Sequence, residues 1–365
     1  MEHEAMMRRA LGLAERGRGL ASPNPVVGAI VVADGEVAGE GWHDGPGSPH
    51  AEAMALAAAG ERARAATLYV TLEPCDHQGR TPPCTAAIQE AGIARVVAGI
   101  TDPNPIVDGR GFARLREAGV EVVWPVLPEE CTRLVEAFAK YVVTAVPFVT
   151  LKMAATLDGK VAARDGSSRW ITGEQARAEV HRMRAASDAI AVGAGTALVD
   201  DPSLTVRNPA HRGRPPVRVL LDARGAVPPT ARLFSSEAPT LVATTETAPV
   251  QRRRAWAAEG ADVVVFEKEA GRVPLGALLA HLGKRDVQAL LLEGGPTLAW
   301  SAVREDLVDK VVVFLAPKLL GGERAPGILG GEGLAPVGEA LPLEIAAVSR
   351  MGQDVKVEAY VHRDR

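Results

Sequence analysis

Two short stretches, Pro49-His-Ala-Glu52 and Thr71-Leu-Glu-Pro-Cys-Asp-His-Gln-Gly-Arg-Thr-Pro-Pro-Cys84, decide how the first half of this 365-residue sequence is interpreted. Among their side chains are the imidazole of His50 and the thiols of Cys75 and Cys84. Three protein ligands of this kind suit a Zn²⁺ ion and leave its fourth tetrahedral position for water, an arrangement typical of catalytic zinc. Two thiolates balance the charge of the ion, and water held there becomes acidic enough to react near neutral pH. The sequence therefore predicts a catalytic zinc site.

The three predicted ligands lie at the ends of predicted secondary-structure elements. Residues 51–59 are almost all Ala, Leu, Met and Glu and stop at a glycine, which predicts a helix that His50 opens. A second helix is predicted over 82–91, with Cys84 in its first turn, where the peptide dipoles favour a thiolate. Cys75 comes just after the end of a predicted strand.

Glu52 is the predicted proton carrier of this site. Side chains two residues apart in a helix interior point away from each other, so His50 and Glu52 can share one site only at a helix end. There Glu52 would take a proton from the water and deliver it to a leaving amine. A His-x-Glu pair alone carries no information, and two cysteines eight residues apart are more often ordinary buried thiols, so only the complete ordered set favours zinc. Cys131 has no such neighbours and is interpreted as a small buried hydrophobic residue.

The composition is that of a folded two-domain protein. Hydrophobic residues make up 47% and charged residues 24% of the chain, and its length corresponds to about two domains at roughly 150 residues each. With 41 Lys and Arg against 45 Asp and Glu, the net charge of −4 provides no positive field for nucleic acid or for an anionic membrane. No apolar run approaches the roughly 18 residues of a membrane span. Three cysteines are too few for a disulfide framework, so we expect reduced thiols and a cytoplasmic protein.

Strands and helices alternate along the chain, which predicts two α/β domains over residues 1–146 and 147–365. The boundary lies in Thr144-Ala-Val-Pro147, after which a new strand begins. The elements predicted for the first domain are strands at 26–32, 67–72, 95–100 and 120–124, and helices at 1–17, 51–59, 82–91 and 128–141. The second domain is predicted to have a helix at 174–186 and strands at 148–153, 189–192, 217–221, 240–244, 262–266, 287–292 and 310–315. Proline or glycine predicts surface loops at 208–216 and 321–333.

The second domain lacks a Rossmann fingerprint but contains another candidate phosphate site. Gly193-Ala-Gly195-Thr-Ala-Leu198 fails at the third glycine of Gly-x-Gly-x-x-Gly. Glu293-Gly-Gly-Pro296 instead follows a predicted strand and has a proline where a helix should begin. Backbone N–H groups at such a helix start can receive a diphosphate, and the glycines allow close approach. Taken alone, a strand-Gly-Gly-helix turn is at least as often only a turn, so both interpretations stay open.

The zinc motifs resemble those of the zinc nucleobase deaminases, whose second motif is usually Pro-Cys-x-x-Cys. Here eight residues separate Cys75 from Cys84, whereas two separate the cysteines of the usual motif. This longer spacing restricts the resemblance to fewer deaminase families. Together with Pro23-Asn-Pro-Val-Val-Gly28, Gly41-Trp-His43 and Asp102-Pro-Asn-Pro105, the chain closely resembles the bifunctional deaminase-reductases of riboflavin biosynthesis. The resemblance spans nearly the whole chain. It implies an N-terminal cytidine-deaminase-like α/β/α domain followed by a dihydrofolate-reductase-like α/β domain.

In the first domain, the resemblance implies a pocket for a phosphoribosyl diaminopyrimidinone. The loop between the cysteines would hold the ribose phosphate through its His and Arg. The alternative is that these two residues are solvated and contact no ligand. Amides and carboxylates elsewhere would bind the donors and acceptors of the base, although the two asparagines are also typical turn residues. The implied substrate-binding residues are Asn24, His43, His77, Arg80, Asp102 and Asn104.

In the second domain, the resemblance implies a reductase that uses NADPH. The motifs that carry it are Leu151-Lys-Met-Ala-Ala-Thr-Leu-Asp-Gly-Lys160, Ser168-Arg-Trp-Ile-Thr172, Asp200-Asp-Pro-Ser-Leu-Thr-Val-Arg207 and Glu293-Gly-Gly-Pro-Thr297. The implied cofactor contacts are Ala154, Trp170, Thr196, Asp200, Ala223, Gly295, Pro296, Thr297, Leu298, Ala299, Trp300 and Ser301. The substrate contacts are Lys152, Ser168, Arg184, Leu204, Arg207 and Glu293.

The charged residues among the contacts implied for the second domain have side chains suited to particular parts of the substrate and the cofactor. Arg184 and Arg207 suit a ribose 5-phosphate because guanidinium binds phosphate through two parallel hydrogen bonds, although Arg184 is equally acceptable as a solvated helix residue. Lys152 and Asp158 lie near the end of the first strand, where a charge would polarise the sugar carbon that accepts hydride. The sequence does not choose between them. Arg224 is the candidate for the 2′-phosphate of NADPH.

We therefore predict a two-domain enzyme that binds Zn²⁺ and NADPH. By resemblance, it deaminates 2,5-diamino-6-ribosylamino-4(3H)-pyrimidinone 5′-phosphate and then reduces the ribosyl chain of the product to ribityl. One alternative is a cytidine or tRNA-adenosine deaminase with an unrelated C-terminal domain, although a tRNA enzyme should present a basic face. Another is a nucleotide-sensing regulatory protein, which would need the pocket but not Glu52. The expected partner is a small molecule, not nucleic acid or a membrane, and homo-oligomerisation stays open.

Overall fold

The structure is a computed structural model that describes residues 2–78, 82–207 and 212–361. The chain divides into two compact units, Met1–Ala145 and Val146–Arg365. In the described part, no helix combines the length and the apolar character that a membrane crossing needs.

The first unit is a sheet covered by helices on both faces. Its elements in chain order are α1 (Glu2–Ala14), β1 (Gly28–Ala33), β2 (Glu36–Trp42), α2 (Ala51–Ala59), β3 (Thr67–Leu72), α3 (Cys84–Glu90), β4 (Arg95–Ile100), α4 (Arg110–Glu117), β5 (Glu121–Val123), α5 (Pro128–Leu134) and α6 (Glu136–Thr144). The strand order is β2-β1-β3-β4-β5. β1 runs antiparallel to β2 and β3, whereas β3, β4 and β5 are parallel.

Alternate residues of the central strands face the two helical layers. Val31 and Leu68 are fully buried with α2, α3 and α4, whereas Ile30 and Tyr69 pack against α1 on the other face. This period of two is the pattern of a strand buried on both sides. Burial of each large aliphatic side chain contributes about 1.5–3 kcal/mol, so the sheet is the stable base on which the loops at its edge are held.

Two glycines of β2 allow α2 to lie directly against that strand. A Cβ atom on Gly39 would overlap the carbonyl oxygen of Ala55, and one on Gly41 would overlap that of Ala51. Because the helix backbone is held this closely, the position of His50, just before α2, is set by β2.

The second unit contains a larger sheet. Its elements are β6 (Phe148–Thr156), α7 (Glu174–Ala185), β7 (Ala189–Gly193), α8 (Ala194–Asp200), β8 (Val217–Leu221), β9 (Thr240–Thr245), α9 (Val250–Ala258), β10 (Asp262–Phe266), α10 (Leu275–Gly283), β11 (Ala289–Leu292), α11 (Pro296–Arg304), β12 (Lys310–Ala316), β13 (Leu343–Met351) and β14 (Asp354–Val361). The strand order is β10-β9-β8-β7-β11-β6-β12-β14-β13. The first seven strands in this order are parallel, and β14 is antiparallel to β12 and β13. The ends of β6, β7, β8 and β11 therefore meet at one carboxyl edge, where ligands of open α/β sheets bind.

The helix predicted over 128–141 is in fact two helices. α5 ends at Leu134 and α6 begins at Glu136, because Val135 has φ −112° and ψ 16°, outside the helical range. Its side chain is 3% exposed and packs with Ala14 and Phe138. A tertiary contact thus interrupts a stretch that is locally helical.

Three strands were not predicted, namely β2, β13 and β14. β2 contains two glycines and two glutamates, which disfavour strands in general. β14 buries Asp354 and Lys356, so the inward face of this strand includes charged residues. Of the two predicted loops, 321–333 has no helix or strand, and 208–216 lies partly outside the described residues.

Candidate active sites

Three side chains suited to binding a metal ion meet at one edge of the first sheet. β2, β3 and β4 end at this edge and β1 begins there, because β1 is antiparallel to both of its neighbours. His50 immediately precedes α2, Cys84 is the first residue of α3, and Cys75 follows β3, all as predicted. Their ligand atoms lie within 4.8 Å of one another.

The distances and charges of this cluster fit a Zn²⁺ ion. Nδ1 of His50 lies 3.2 Å from Sγ of Cys84 and 3.6 Å from Sγ of Cys75. Hydrogen bonds from Cys84 and His50 lower the pKa of Cys75, which favours its thiolate, and the contact with Cys75 raises the pKa of Cys84. One nitrogen and two sulfurs converging on a common point form the donor set of a catalytic zinc site with an open fourth position.

Glu52 lies in the first turn of α2, beside this cluster, and is only 4% exposed. Burial, with a smaller contribution from the charge of Cys75, raises the pKa of its carboxyl to about 7. A carboxyl group that titrates near neutral pH can both accept and release a proton there. The helix end therefore brings Glu52 and His50 into one site, as predicted.

His43 and Asn24 form an ordered pair next to the metal cluster. Nδ2 of Asn24 lies 2.9 Å from Nε2 of His43, and Nδ1 of His43 lies 3.2 Å from the carbonyl oxygen of Pro49. Burial lowers the pKa of His43, and a neutral ring fits these contacts if Nδ1 donates to the carbonyl and Nε2 accepts from the amide. The ring also packs edge-on against His50, with 5.3 Å between centroids. These contacts place both predicted substrate residues at the metal site.

Asp102 and Asn104 begin the loop that follows β4 at the same edge. The N–H of Asn104 donates to Oδ1 of Asp102 at 2.8 Å, and the N–H of Ile106 donates to Oδ1 of Asn104 at 3.1 Å. Burial raises the pKa of Asp102 to about 6. The two side chains thus shape a tight turn and also bring a buried carboxyl to the site, so the turn and substrate interpretations are compatible.

Glu73 organises this loop and was missed as a functional residue by the sequence analysis. Its carboxylate is 3% exposed and accepts N–H groups from Asp102 at 3.1 Å, Gly109 at 2.9 Å and Phe112 at 3.2 Å. A buried carboxylate needs such donors, and this one joins the end of β3 to a loop 29 to 39 residues further along the chain. The only sequence signal was its place beside Pro74-Cys75 in the second zinc motif.

We expect Glu73→Gln to lower the free energy of unfolding of the first unit by about 3 kcal/mol, because an amide nitrogen would replace one charged acceptor. Denaturant unfolding followed by circular dichroism measures this change. Glu61→Gln is the matched control, since Glu61 is exposed after α2. If Glu73→Gln were as stable as the control, the three hydrogen bonds would contribute little to the loop.

The loop between the two cysteines is described only in part. His77 is exposed, and Arg80 lies outside the described residues. Oγ1 of Thr85 donates to Oδ1 of Asp76 at 2.5 Å, and the N–H of Thr85 donates to the carbonyl of Cys75 at 3.2 Å. These bonds hold the start of the loop against α3.

A buried ion-pair cluster lies at the carboxyl edge of the second sheet. Nε and Nη2 of Arg184 donate to the two carboxylate oxygens of Glu293 at 2.6 and 3.0 Å, and Nζ of Lys152 lies 3.7 Å from Oε2. Burial alone would raise the pKa of Glu293, but the charges of Arg184 and Lys152 outweigh it and lower this pKa to about 2. Arg184 is therefore not a solvated helix residue, which answers the question left open by the sequence.

The segment 203–207 passes beside this cluster and brings two more predicted residues to it. Nη1 of Arg184 donates to the carbonyl of Thr205 at 3.2 Å, and Nη2 of Arg207 donates to Oγ of Ser203 at 3.1 Å. Leu204 has φ +50°, a strained value for a branched side chain. Its side chain is 2% exposed and packs in the core, so only its backbone can face the site.

The start of α11 follows β11 at the same edge and forms the candidate diphosphate site. Pro296 occupies the first turn of the helix, as predicted, and Gly295 precedes it. A Cβ atom on Gly295 would approach Oγ1 of Thr196 to 3.1 Å, so this glycine keeps the space between α8 and α11 open. Ala299 and Ser301 face the core, at 0% and 8% exposed. Among the implied cofactor contacts on α11, those in its first turn can therefore present backbone N–H groups to a ligand.

The other implied contacts fall into small groups around this edge. Oγ of Ser168 donates to Oδ1 of Asp200 at 3.0 Å, which joins an implied substrate residue to an implied cofactor residue. Trp170 is 65% exposed, with the guanidinium of Arg177 4.7 Å from its ring centroid. Ala154 lies on β6, two residues beyond Lys152.

The turn after β8 holds Ala223 and is built by a carboxylate for which no role was predicted. Asp222 is 1% exposed and accepts the N–H groups of Gly225 at 2.9 Å and Val227 at 2.7 Å. Arg224 is exposed in this turn. The signal available was an Asp directly after a strand and before a glycine, which is typical of a turn.

The carboxylate of Asp158 is hydrogen-bonded to groups close to it in sequence and to the segment after β12. It accepts the N–H groups of Leu320 at 3.2 Å and Gly321 at 2.6 Å, and the hydroxyl of Thr156 at 2.5 Å. These bonds lower the pKa of Asp158 to about 2. Of the two charged residues considered near the end of β6, Lys152 is the one that contacts the Arg184–Glu293 pair.

Two family models match the chain. Residues 1–100 match the cytidine and deoxycytidylate deaminase zinc-binding region, and residues 147–357 match the RibD C-terminal domain. The second match alone covers more than half of the chain.

Full-length relatives and solved structures are similar over both units. The riboflavin biosynthesis protein RibD of Escherichia coli is 42% identical over 97% of this chain and 98% of its own, and that of Aquifex aeolicus is 42% identical over 96% of each. This chain belongs to the RibD family. A structure of Acinetobacter baumannii RibD is 36% identical, with a TM-score of 0.87 over 99% of each chain. A Thermotoga maritima structure, titled a diaminohydroxyphosphoribosylaminopyrimidine deaminase/5-amino-6-(5-phosphoribosylamino)uracil reductase, is 38% identical with the same TM-score and coverage.

Membership of the RibD family confirms the predicted fold class and the predicted enzyme class. The chain is a bifunctional enzyme of riboflavin biosynthesis, with a zinc-binding deaminase domain and an NADPH-using reductase domain. The His50–Cys75–Cys84 cluster lies within the part that matches the zinc-binding region, and the Arg184–Glu293 pair lies within the RibD C-terminal domain.

Proposed function

We propose that this chain deaminates 2,5-diamino-6-ribosylamino-4(3H)-pyrimidinone 5′-phosphate in residues 1–146 and reduces the ribosyl chain of the product in residues 147–365. The product would be 5-amino-6-ribitylaminouracil 5′-phosphate. The observation that carries the proposal is the convergence of His50, Cys75 and Cys84 beside a buried Glu52, in a chain whose second unit has its own charged site. We expect the substrate at both sites to be a small molecule. We also expect the protein to act in the cytoplasm and to bind neither nucleic acid nor a membrane.

For deamination, His50, Cys75 and Cys84 would hold the zinc ion and Glu52 would move protons. When bound, zinc supplies a Lewis acid that acidifies and orients a water molecule. Glu52 would take a proton at its carboxylate and deliver it to the leaving amine, a role that its buried position in the first turn of α2 supports. Hydrolysis then exchanges the C–N bond to the amino group for a C–O bond and releases ammonia.

The remaining residues at this edge would bind the substrate. Asn24, His43, Asp102 and Asn104 offer amide, imidazole and carboxyl groups around the metal cluster, while His77 and Arg80 would bind the ribose phosphate. His43 would act from a defined orientation, since its ring is hydrogen-bonded on both sides. Orientation of this kind lowers the entropy cost of reaching a reactive geometry.

For reduction, Arg184 and Arg207 would hold the ribose 5-phosphate and Lys152 would polarise the sugar carbon. NADPH, when bound, supplies the hydride. Glu293 would keep Arg184 and Lys152 oriented, and Ser168 and the Leu204 backbone would contact the sugar. The cofactor would lie along the start of α11, Thr196 and the Ala223 turn, with Ala154, Trp170 and Asp200 at its sides.

We expect about one zinc ion per chain, bound by the three-ligand site. Elemental analysis measures the content, and a strong chelator should abolish ammonia release from the diaminopyrimidinone ribotide. NADPH oxidation with the already deaminated ribosylaminouracil phosphate should continue in the same sample. A metal-free preparation with full deamination would contradict the proposed site.

A further inference from the structure

His181 lies on α7, one turn before Arg184, and reaches the segment that carries Arg207. Nδ1 of His181 accepts the backbone N–H of Arg207 at 3.1 Å. The ring is half-buried, and its interaction with the carbonyl of Thr205 acts to raise its pKa. Arg184 donates to the same carbonyl at 3.2 Å. α7 therefore holds the 203–207 segment through two neighbouring side chains.

The hydrogen bond to Arg207 requires an unprotonated Nδ1. A neutral imidazole offers one acceptor nitrogen, whereas an imidazolium has N–H groups at both positions and accepts nothing. Protonation of His181 would therefore replace the acceptor for the Arg207 amide by a donor. The 203–207 segment would then lose one of these two side-chain contacts with α7.

We propose that His181 is a positioning residue of the reductase site, which orients Arg207 by accepting its backbone N–H and releases it on protonation. This inference rests on the proposed role of Arg207 as a phosphate ligand. Nothing in the sequence predicted it, because the contact joins residues 26 positions apart.

The charged groups around His181 come from four elements. Arg184 lies on its own helix, Arg207 on the facing segment, and Glu293 at the end of β11, with Lys152 of β6 beside that carboxylate. Burial, followed by the charges of Arg184 and Arg207, lowers the pKa of His181, and Glu293 and the Thr205 carbonyl act in the opposite direction. The neutral form that accepts the hydrogen bond is thus the form present at neutral pH, and the bond is lost in acid, below the ordinary histidine pKa of about 6.5.

The test measures KM of the reductase for the deaminated ribotide from pH 7.5 to pH 5.5. The substrate phosphate also titrates near pH 6, so the quantity to compare is the ratio of wild-type KM to that of His181→Asn. Asparagine places an acceptor near the position of Nδ1 and does not titrate. We expect a ratio near one at pH 7.5 and about 2 to 10 at pH 5.5, the fold-change of one net hydrogen bond, with kcat little changed.

His181→Ala removes the acceptor at every pH, so its KM at pH 7.5 should already be raised about 2- to 10-fold. His281→Asn is the matched control, since His281 lies on α10 and packs against Phe266. This control should keep the wild-type pH profile. Thermal unfolding of the second unit and an unchanged kcat for reduction show that each variant is folded where the substitution lies.

Two outcomes separate this inference from the proposed function. If Arg207→Ala leaves KM unchanged, the proposed phosphate role of Arg207 is wrong. If Arg207→Ala raises KM by about 10- to 150-fold but His181→Ala has the wild-type KM at pH 7.5, the role of His181 is wrong. In the variant that lacks the Arg207 side chain, adding His181→Ala should not raise KM further, because the two residues act through one contact.

Discussion

Replacing Glu52 by glutamine should lower the rate of deamination by a factor of about 10² or more while zinc stays bound. Glutamine keeps the volume of the side chain in its buried place but cannot accept and release a proton near neutral pH. The measurement is ammonia release from the diaminopyrimidinone ribotide, with zinc content determined on the same sample.

Two controls make this result specific. Glu61→Gln is the same chemical change at an exposed position and should leave deamination unchanged. NADPH-dependent reduction of the deaminated substrate should continue in the Glu52→Gln protein, because the reductase site lies in the second unit. Loss of zinc together with activity would assign Glu52 a ligand or folding role, and near-normal ammonia release would refute the proton-carrier role.

Arg184→Ala should remove most NADPH-dependent reduction and destabilise the second unit. The substitution leaves Glu293 buried with only the more distant Lys152 as a charged partner, and breaking a buried ion pair in this way costs about 3–5 kcal/mol. We expect the free energy of unfolding to fall by this amount, and reduction to fall by about 10² or more at temperatures where the variant is still folded. Thermal unfolding and NADPH oxidation measure the two effects.

The matched control is Arg182→Ala on the same helix, since Arg182 is 60% exposed and its partner Glu179 keeps an ion pair with Lys356. An ion pair with a solvent-exposed arginine contributes about 0–1 kcal/mol, so the control should stay close to wild type. The triple variant Lys152→Met, Arg184→Met and Glu293→Leu removes the whole buried charge cluster and separates stability from activity. Replacing all three charges by apolar groups should restore stability but not reduction. Recovery of both would show that the cluster is structural and that Arg184 does not bind substrate.

Buried carboxylates have a common task in the two units. Glu73 in the first unit and Asp222 in the second each accept several backbone N–H groups and so hold a loop at the edge of a sheet. Each of these loops carries residues proposed to bind a ligand. Because ionised acceptors form strong hydrogen bonds when buried, such loops are held with little freedom before a ligand arrives.

The chemistry of the zinc site was determined by the sequence. His50, Cys75 and Cys84 can be identified as ligands from their residue types. The helix starts at His50 and Cys84 follow from local signals, namely the alanine-rich run after His50 and the prolines before Cys84. The same holds for the start of α11, where Pro296 follows two glycines. Local propensity suffices here because each ligand is placed by the element it begins.

The pairing of charges in the second unit was decided only by the tertiary structure. Arg184 and Glu293 are 109 residues apart, and whether an arginine on a helix is solvated or buried depends on what the sheet places opposite it. Glu73 and His181 were missed for the same reason, since their partners are backbone N–H groups of distant segments, which no periodicity in the sequence records. Residue types and short motifs determine which chemistry a chain can perform. The strand order that brings distant groups within 3 Å determines which side chains hold that chemistry in place.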